Sequence, residues 1–396
     1  MISVYLLLDL FCPRFANPSR GFPFLPMPLP TLHLFNPSHD EALAAGYPFY
    51  YPSTIARQLA VEWAMLPALT AEPGDWIWLP EGAELPETSG AHWLSGVRFV
   101  KGRKLNEHFW ARERVGRIEP WGWDPLLRHQ LSKTGVPASL LPTDEALARL
   151  RALSSRETTA FVLSRLLGAP ALQGFGLTGQ SVVARSEAEV ERCLAQWGGA
   201  MVKSLWSCSG RGVFCVRETP TASDRGRWNR LLREQGGVEL EPVQQGQLDF
   251  ALEFRATARG RVEYLGASLF RTGSQGAYMG NVVAPQADIK QEIAAAFPLY
   301  PKLHALLVET LEEVLASRLD GHYAGPLGVD LMVCKSPAGP TLLPCVEVNL
   351  RKTMGHVSMK VAQRDIKPSD IPSALRKLWY FCAPSCHTRE DRASGH

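Results

Sequence analysis

The chain has 396 residues, of which 45% are hydrophobic, and this length is sufficient for two or three domains with substantial cores. Its 42 basic and 39 acidic side chains leave a net charge of only +3, so composition gives no electrostatic case for nucleic acid as a partner. No run approaches the roughly 20 apolar residues of a membrane helix, so no membrane role is predicted. The eight cysteines are scattered without C-x-x-C pairs, which is typical of reduced thiols and predicts a cytoplasmic protein.

The first 30 residues predict an extension ahead of the folded core. The apolar run from Ile2 to Phe11 contains Asp9, lacks a basic start and leads into a proline-rich segment, so it makes a poor signal peptide. A disordered or weakly packed extension is the simpler interpretation. Met27 is an alternative natural start, just ahead of the first strand-like run.

Residues 31–135 alternate short apolar runs with helical patterns, which indicates an α/β layer. The predicted strands are 31–35, 75–79, 97–100 and 117–120. Asn36, His39 and Asp40 follow the first strand, and open α/β sheets bind ligands beyond the carboxyl ends of their strands. Ser38 and Glu41 have the S-x-x-E spacing of a helix capping box. The sequence leaves open whether these polar residues bind a ligand or satisfy a helix start.

A later helix begins with an arginine. The stretch "SSRETTAFVLSRLLG" predicts a helix capped by Ser154 or Ser155, with Arg156 in its first turn. An arginine at this position runs against the usual acidic bias of helix N-termini, because the helix dipole is positive there. The exception indicates an anion near Arg156.

Two glycine-rich stretches are candidates for a phosphate-binding loop. The stretch "GFGLTG" at 174–179 formally matches G-x-G-x-x-G, but a helix end precedes it and a strand follows, so it predicts a plain loop. The stretch "VKSLWSCSGRGV" at 202–213 places Lys203 before the glycines, whereas a P-loop lysine follows them. It predicts two strands joined by a flexible turn.

The last two predicted strands, 325–333 and 341–350, carry the most informative polar residues. With a turn near residue 338, Asp330 lies opposite Glu347, and Asn349 shares the face of Glu347. Carboxylates that face each other in an apolar sheet are costly to desolvate, and a Mg²⁺ ion with oxygen ligands resolves this. The alternative is an ordinary sheet in which Arg351 and Lys352 pair with the acids.

Before this hairpin, strands are predicted at 237–243, 248–257, 261–271 and 277–283. A core-facing helix from Leu303 to Leu315 is predicted to follow them.

The order of these residues resembles that of the ATP-grasp superfamily over roughly residues 140–370. The implied fold is an N-terminal Rossmann-like α/β domain followed by a two-subdomain ATP-grasp fold with antiparallel sheets. The implied segments are an extension at 1–30, the α/β domain at 31–140, a small subdomain with the glycine hairpin at 141–236, a large subdomain with the metal site at 237–380, and a tail at 381–396.

The resemblance also implies a role for each matching residue. Phosphates would contact Arg156, Lys203 and the hairpin residues Ser209, Gly210, Arg211 and Gly212. The base and ribose of ATP would contact Glu241, Val243 and Asp249, and Mg²⁺ would be held by Asp330, Glu347 and Asn349. Many ligases of the superfamily carry a basic residue two positions before the metal-binding aspartate, where this chain has Gly328. Arg351 is expected to supply that charge, so Arg351 and Lys203 are the candidate catalytic residues.

The function implied by the resemblance is that of an ADP-forming ligase dependent on ATP and Mg²⁺. Such an enzyme activates a carboxylate as an acyl phosphate, which an amine then attacks. A kinase, a peptide-modifying ligase and a nucleotide-binding protein without turnover are the alternatives. The carboxylate and amine substrates, small molecules or peptides, stay open, as does the oligomeric state, a homodimer included. It is also open whether His39, Asp40, Arg271, Tyr278 and Asn281 bind substrate.

Overall fold

The computed structural model describes residues 29–85, 92–206, 212–217, 219–273 and 278–381, which form three β-sheets with helices packed around them. Nearly all of the predicted extension lies outside these residues. Among the described helices, none is long and apolar enough to cross a membrane.

The first sheet is parallel and contains the four strands predicted near the start of the chain. Its order is β3-β2-β1-β4, with β1 at Thr31–Leu34, β2 at Trp76–Leu79, β3 at Arg98–Lys101 and β4 at Arg117–Pro120. The accompanying helices are α1 (His39–Ala45), α2 (Thr54–Glu62), α3 (Glu107–Arg112) and α4 (Pro125–Ser132). Because all four strands run the same way, the segments after β1 and β4 meet at one edge of the sheet.

The predicted capping box of α1 is wrong. Ser38 is the N-cap residue, but its side chain makes no capping hydrogen bond. The Glu41 carboxylate instead accepts hydrogen bonds from Ser53 Oγ at 2.8 Å and from Tyr50 Oη at 3.0 Å. Glu41 therefore ties α1 to the start of α2 rather than capping its own helix.

The second sheet is antiparallel and follows α5 (Asp144–Leu153) and α6 (Arg156–Gly168). Its order is β5-β8-β6-β7, with β5 at Val182–Ala184, β6 at Gly199–Ser204, β7 at Val213–Arg217 and β8 at Val238–Pro242. Helices α7 (Glu187–Trp197) and α8 (Ala222–Gln235) pack against it. Strand β8 pairs with β5 and β6, so we propose moving the subdomain boundary from residue 236 to the turn at 243–245.

The third sheet has six strands in the order β13-β12-β9-β10-β11-β14. They are β9 (Gly246–Ala256), β10 (Val262–Thr272), β11 (Tyr278–Val283), β12 (Gly325–Cys334), β13 (Thr341–Asn349) and β14 (Trp379–Phe381). The helices of this region are α9 (Gln286–Ala296), α10 (Tyr300–Leu319), α11 (Met354–Gln363) and α12 (Ser373–Arg376).

The two faces of the third sheet differ in polarity. One face is apolar, and its Phe250, Leu252 and Leu327 belong to a core shared with α6, α9 and α10. Side chains alternate along each strand, so the other face carries Asp249 and Asp330. The third sheet is antiparallel except at one edge, where β14 pairs with β11 in parallel. The predicted order of a parallel α/β sheet followed by two sheets built from antiparallel pairs is otherwise confirmed, and it is the order that the resemblance to the ATP-grasp superfamily implies.

Candidate active site

Two carboxylates face each other across the last hairpin. Asp330 of β12 is paired with Glu347 of β13, in the register predicted from the sequence. Asn349 lies two residues further along, and its Nδ2 donates a hydrogen bond to Asp330 Oδ2 at 3.2 Å. Burial raises the pKa of Asp330 well above its ordinary value, and the carboxylates of Glu347 and Glu253 raise it further. We call Asp330 and Glu347 the acid pair.

Arg156 connects the acid pair to the second sheet. It begins α6, whose N-terminus is capped by the Ser155 side chain, and it is only 6% exposed. Its Nη2 donates a hydrogen bond to Glu347 Oε1 at 2.9 Å, and its Nη1 reaches Glu239 Oε2 at 3.4 Å. Burial alone would lower the pKa of Arg156, but Glu347 and Glu239 outweigh burial and raise it. Arg156 is therefore a fixed cation between the two sheets.

Lys203 adds a second buried cation beside Arg156. Lys203 Nζ lies 2.5 Å from Glu241 Oε2 and 4.0 Å from Glu239 Oε2. These two glutamates occupy alternate positions of β8. Glu239 is fully buried and accepts a hydrogen bond from Ser181 Oγ at 2.8 Å. Burial raises the pKa of Glu239 to about 7 in spite of Lys203, and Glu241 contributes to the increase. Glu239 was not predicted, although it alternates with Glu241 in β8 and its side chain therefore lies on the same face of the strand.

The residues predicted for the nucleotide base and ribose lie at the junction of the second and third sheets. Glu241 is buried and paired with Lys203, while Val243, just beyond β8, is exposed. Asp249 accepts a hydrogen bond from Thr272 Oγ1 at 2.6 Å, and burial raises its pKa. Asp249 is paired with Met332, so it shares the polar face of Asp330. Nucleotide contacts for Glu241, Val243 and Asp249 stay a prediction.

The glycine hairpin is described only at its ends. Ser209, Gly210 and Arg211 lie outside the described residues. Strands β6 and β7 pair antiparallel, with Lys203 opposite Val213, as the predicted hairpin requires. Gly212 has a φ of +80°, and its carbonyl accepts a hydrogen bond from Ser204 N at 2.9 Å. Glycine adopts this conformation without steric penalty.

Arg351 connects the end of β13 to the first domain. Its Nε donates to both carboxylate oxygens of Asp40, at 3.1 and 3.2 Å. The next residue, Lys352, forms an ion pair with Glu119 of β4 at 2.9 Å, and its backbone N–H donates to Trp121 O. The structure therefore places Arg351 at the domain junction, just after β13, which carries Glu347.

A cleft lies between α1, the start of α6 and the end of β13. Its polar and charged wall residues are His39, Asp40, Ser154, Arg156, Thr159, Glu347, Asn349 and Arg351. Leu205 and Trp206 provide apolar wall on the side of the second sheet. The cleft lies between the first domain and β13, the strand that carries Glu347.

A buried polar cluster under the acid pair was not predicted. Glu253 of β9 accepts hydrogen bonds from Ser268 Oγ at 2.9 Å and Thr353 Oγ1 at 2.8 Å, and it lies 3.1 Å from His356 Nδ1. Gly328 is paired with Glu253, and a Cβ at residue 328 would lie 2.7 Å from Glu253 Oε2. The carboxylate of Glu253 therefore leaves no room for the basic residue that many ATP-grasp ligases carry at this position.

The three further candidates on β10 and β11 lie apart from the residues lining the cleft. Tyr278 Oη donates a hydrogen bond to Asn281 Oδ1 at 2.5 Å, and burial raises the pKa of Tyr278. The Arg271 guanidinium lies 4.3 Å from the centre of the Tyr380 ring. Asn281 is paired with Phe270, which in turn is opposite Asp249, so Asn281 lies toward the predicted ribose position. Substrate binding by these residues stays open.

The acid pair and Asn349 fit Mg²⁺ by the chemistry of their donors. The candidate site has two carboxylates and one carboxamide. Among the described residues, no cluster of three or more His, Cys, Asp or Glu side chains is placed to hold a metal ion. Mg²⁺ is usually held by one or two carboxylates and keeps waters and phosphate oxygens in its shell. The pKa of Asp330 is raised first by burial and then by the carboxylates of Glu347 and Glu253, and a bound cation would favour the ionised form against both.

Comparison with known proteins gives matches among solved structures alone. No protein-family model matches the chain, and no curated protein gives a significant match. N5-carboxyaminoimidazole synthetase from Staphylococcus aureus, complexed with ADP, is 12% identical with a TM-score of 0.39, over 82% of this chain and 71% of that one. Biotin carboxylase from Campylobacter jejuni is 15% identical with a TM-score of 0.45, over 91% of this chain and 73% of that one.

A third match is the biotin carboxylase domain of the Hydrogenobacter thermophilus 2-oxoglutarate carboxylase. It is 13% identical with a TM-score of 0.46, over 85% of this chain and 69% of that one. At these identities and TM-scores, the matches assign neither an activity nor a ligand to this chain. The function must be argued from its own residues.

Proposed function

We propose that the protein is an ATP- and Mg²⁺-dependent, ADP-forming ligase that activates a carboxylate as an acyl phosphate for attack by an amine. The observation that carries this proposal is the position of Arg156. Its guanidinium contacts Glu347 of the acid pair on one side and Glu239 on the other, beside Lys203. Arg156 and Glu347 line the cleft between the domains, and Lys203 and Asp330 are linked to them through Glu239 and the β12–β13 pairing.

Arg156 and Lys203 would stabilise the transferring phosphoryl group. In phosphoryl transfer the negative charge is spread over the equatorial oxygens, so catalysis depends on positioned positive charge. Both cations are held by buried acids, Arg156 by Glu239 and Lys203 by Glu241, so their orientation is fixed before any substrate arrives. Asp330, Glu347 and Asn349 would hold Mg²⁺, which would supply further positive charge for the phosphate oxygens.

Arg351 would orient the carboxylate that becomes phosphorylated. A guanidinium can donate two parallel hydrogen bonds to a carboxylate or a phosphate, whereas an ammonium group cannot reproduce this geometry. Arg351 already binds a carboxylate at the wall of the cleft, since its Nε donates to both oxygens of Asp40. A substrate carboxylate would bind the guanidinium of Arg351 in the same way, while Arg351 stays close to Glu347 at the end of β13.

The proposal is tested by measuring ADP release with Mg²⁺ and pooled carboxylates and amines. We expect ADP formation that requires one carboxylate and one amine, and that is lost in Asp330→Asn. Asp320→Asn is the matched control, because Asp320 is an exposed C-cap residue that asparagine can replace. Absence of turnover with every pool would contradict the proposal. A stable phosphorylated product would instead identify a kinase, and loss of water from a peptide would identify a modifying ligase.

A further inference from the structure

His39 is a buried histidine on the wall of the cleft, and the proposed phosphoryl transfer leaves it without a role. It is only 2% exposed, yet it lines the cleft together with Asp40 and Arg351. Its Nδ1 has no hydrogen-bond partner in the part of the chain that the structure describes, and it lies 3.7 Å from Asp124 Oδ2. Its Nε2 lies 3.8 Å from Asp40 Oδ1. The ring is therefore flanked by one carboxylate at each nitrogen.

The first domain holds His39 in a defined orientation. A Cβ on Gly122 would lie 2.6 Å from three atoms of the imidazole, so the ring packs directly against the backbone of Gly122. Asn36 Nδ2 donates to Gly122 O at 2.7 Å and to Asp124 Oδ2 at 2.9 Å. Asp124 is 1% exposed and also caps α4 through Leu127 N at 2.9 Å. Asn36 thus fixes both the surface under the ring and the carboxylate beside it.

A ligase of the proposed kind needs a group that removes protons from its amine. An alkylamine is mostly an ammonium ion near neutral pH, and an ammonium ion has no lone pair with which to attack. A cation entering the cleft would meet the Asp40 carboxylate, which already accepts a cationic donor from Arg351. It would then lie beside His39 Nε2. Catalytic hydrogen bonds are often long before substrate binds, so the 3.8 Å separation is compatible with this role.

We propose that Asp40 and His39 form the amine subsite of this enzyme, where Asp40 binds a primary ammonium group and His39 Nε2 accepts one of its protons. This inference rests on the proposed ligase function. The freed amine forms a bond to the acyl carbon, and the bond from that carbon to the phosphate oxygen breaks with its electron pair leaving on phosphate. Of the three ammonium protons, one stays on the amide, one leaves with phosphate, and one passes through His39 to solvent. Asp124, beside Nδ1, stabilises the imidazolium.

Hydroxylamine separates this step from activation of the carboxylate. It is a small neutral nucleophile at pH 7.5, so it traps an acyl phosphate as a hydroxamate without needing an ammonium site or a base. The carboxylate is first identified by hydroxamate formation in pools, and the amine by amide formation with a pool of primary amines. The variants are His39→Gln, Asp40→Asn and Gly122→Ala. In Gly122→Ala the added methyl group displaces the imidazole ring of His39. His108→Gln is the matched control, because His108 is an exposed histidine of the same domain.

We expect His39→Gln to lower the amide-forming rate at least about a hundredfold, as loss of a general base does, while hydroxamate formation stays within threefold. Gly122→Ala should show the same selective loss, and Asp40→Asn should raise the KM for the amine at least about tenfold. If His39→Gln forms the amide within twofold of the parent rate, the amine subsite is overturned but the proposed ligase function is not. Equal losses of the amide-forming and hydroxamate-forming rates in folded protein would have the same consequence. No hydroxamate from the parent enzyme with any carboxylate would overturn the proposed function and this inference with it.

Discussion

Arg156 Nη2 donates a hydrogen bond to Glu347 Oε1 at 2.9 Å, and this bond joins the first turn of α6 to β13, the strand that carries Glu347 of the acid pair. The same guanidinium contacts the fully buried Glu239 on the second sheet. One side chain thus couples the two sheets between which ATP would bind. This coupling makes the fold and the proposed chemistry depend on the same cation.

Arg156→Gln should destabilise the protein by about 3 kcal/mol, because it leaves the buried carboxylate of Glu239 with the Ser181 hydroxyl and Lys203, 4.0 Å away, as its partners. The change in unfolding free energy is measured by urea denaturation followed by circular dichroism. Arg165→Gln on the same helix is the control, since Arg165 is exposed and its loss should change stability by less than about 0.5 kcal/mol. Equal effects of the two variants would show that Arg156 is not a structural cation.

Gly355→Ala should destabilise the protein by at least about 2 kcal/mol, because a Cβ there would overlap Glu253 Oε1 and Ser268 Oγ. Gly226→Ala is the control, since this glycine lies inside α8 with no atom within 4 Å of the added carbon. That variant should be neutral or stabilised by up to about 1 kcal/mol. The cost of Gly355→Ala should be smaller in a Glu253→Ala background than in the parent, and an equal cost in both backgrounds would contradict the assigned overlap.

The raised pKa of Glu239 predicts a pH-dependent difference from Glu239→Gln. The pKa is about 7 in the folded protein against an ordinary value of 4.5, so the folded state binds the proton more tightly. This group's contribution is fully present below pH 4.5 and is lost as the pH rises toward 7. The free energy of unfolding of the parent should therefore fall relative to that of Glu239→Gln across this window. A difference that is constant with pH would contradict the raised pKa.

Several features of this site could be predicted from the sequence because they are local. The pairing of Asp330 with Glu347 follows from alternation along two strands joined by a short turn. The contact of Arg156 with Glu347 spans 191 residues, and that of Arg351 with Asp40 spans 311. No periodicity encodes such separations. Glu41 shows the same limit at short range, because Ser53 and Tyr50 bind the carboxylate that the capping pattern assigned to its own helix.

Arg351→Lys should lower turnover at least about tenfold, roughly 1.4 kcal/mol of transition-state stabilisation, with ATP affinity little changed. Lysine keeps the charge but loses the planar donor that contacts both oxygens of Asp40. Steady-state kinetics and ATP titration calorimetry measure the two quantities, with Arg259→Lys in an exposed turn as control. Turnover within twofold of the parent would remove Arg351 from the catalytic residues.

Transfer of an oxygen atom from the carboxylate substrate to phosphate tests the central claim most directly. The carboxylate identified by ADP release is labelled with ¹⁸O in both oxygens, and the inorganic phosphate formed with ATP, Mg²⁺ and the amine is analysed by mass spectrometry. An acyl phosphate intermediate predicts one ¹⁸O atom in each phosphate, because the carboxylate oxygen attacks phosphorus and leaves with it. Phosphate without label, formed together with the amide, would contradict the proposed activation of the carboxylate by ATP.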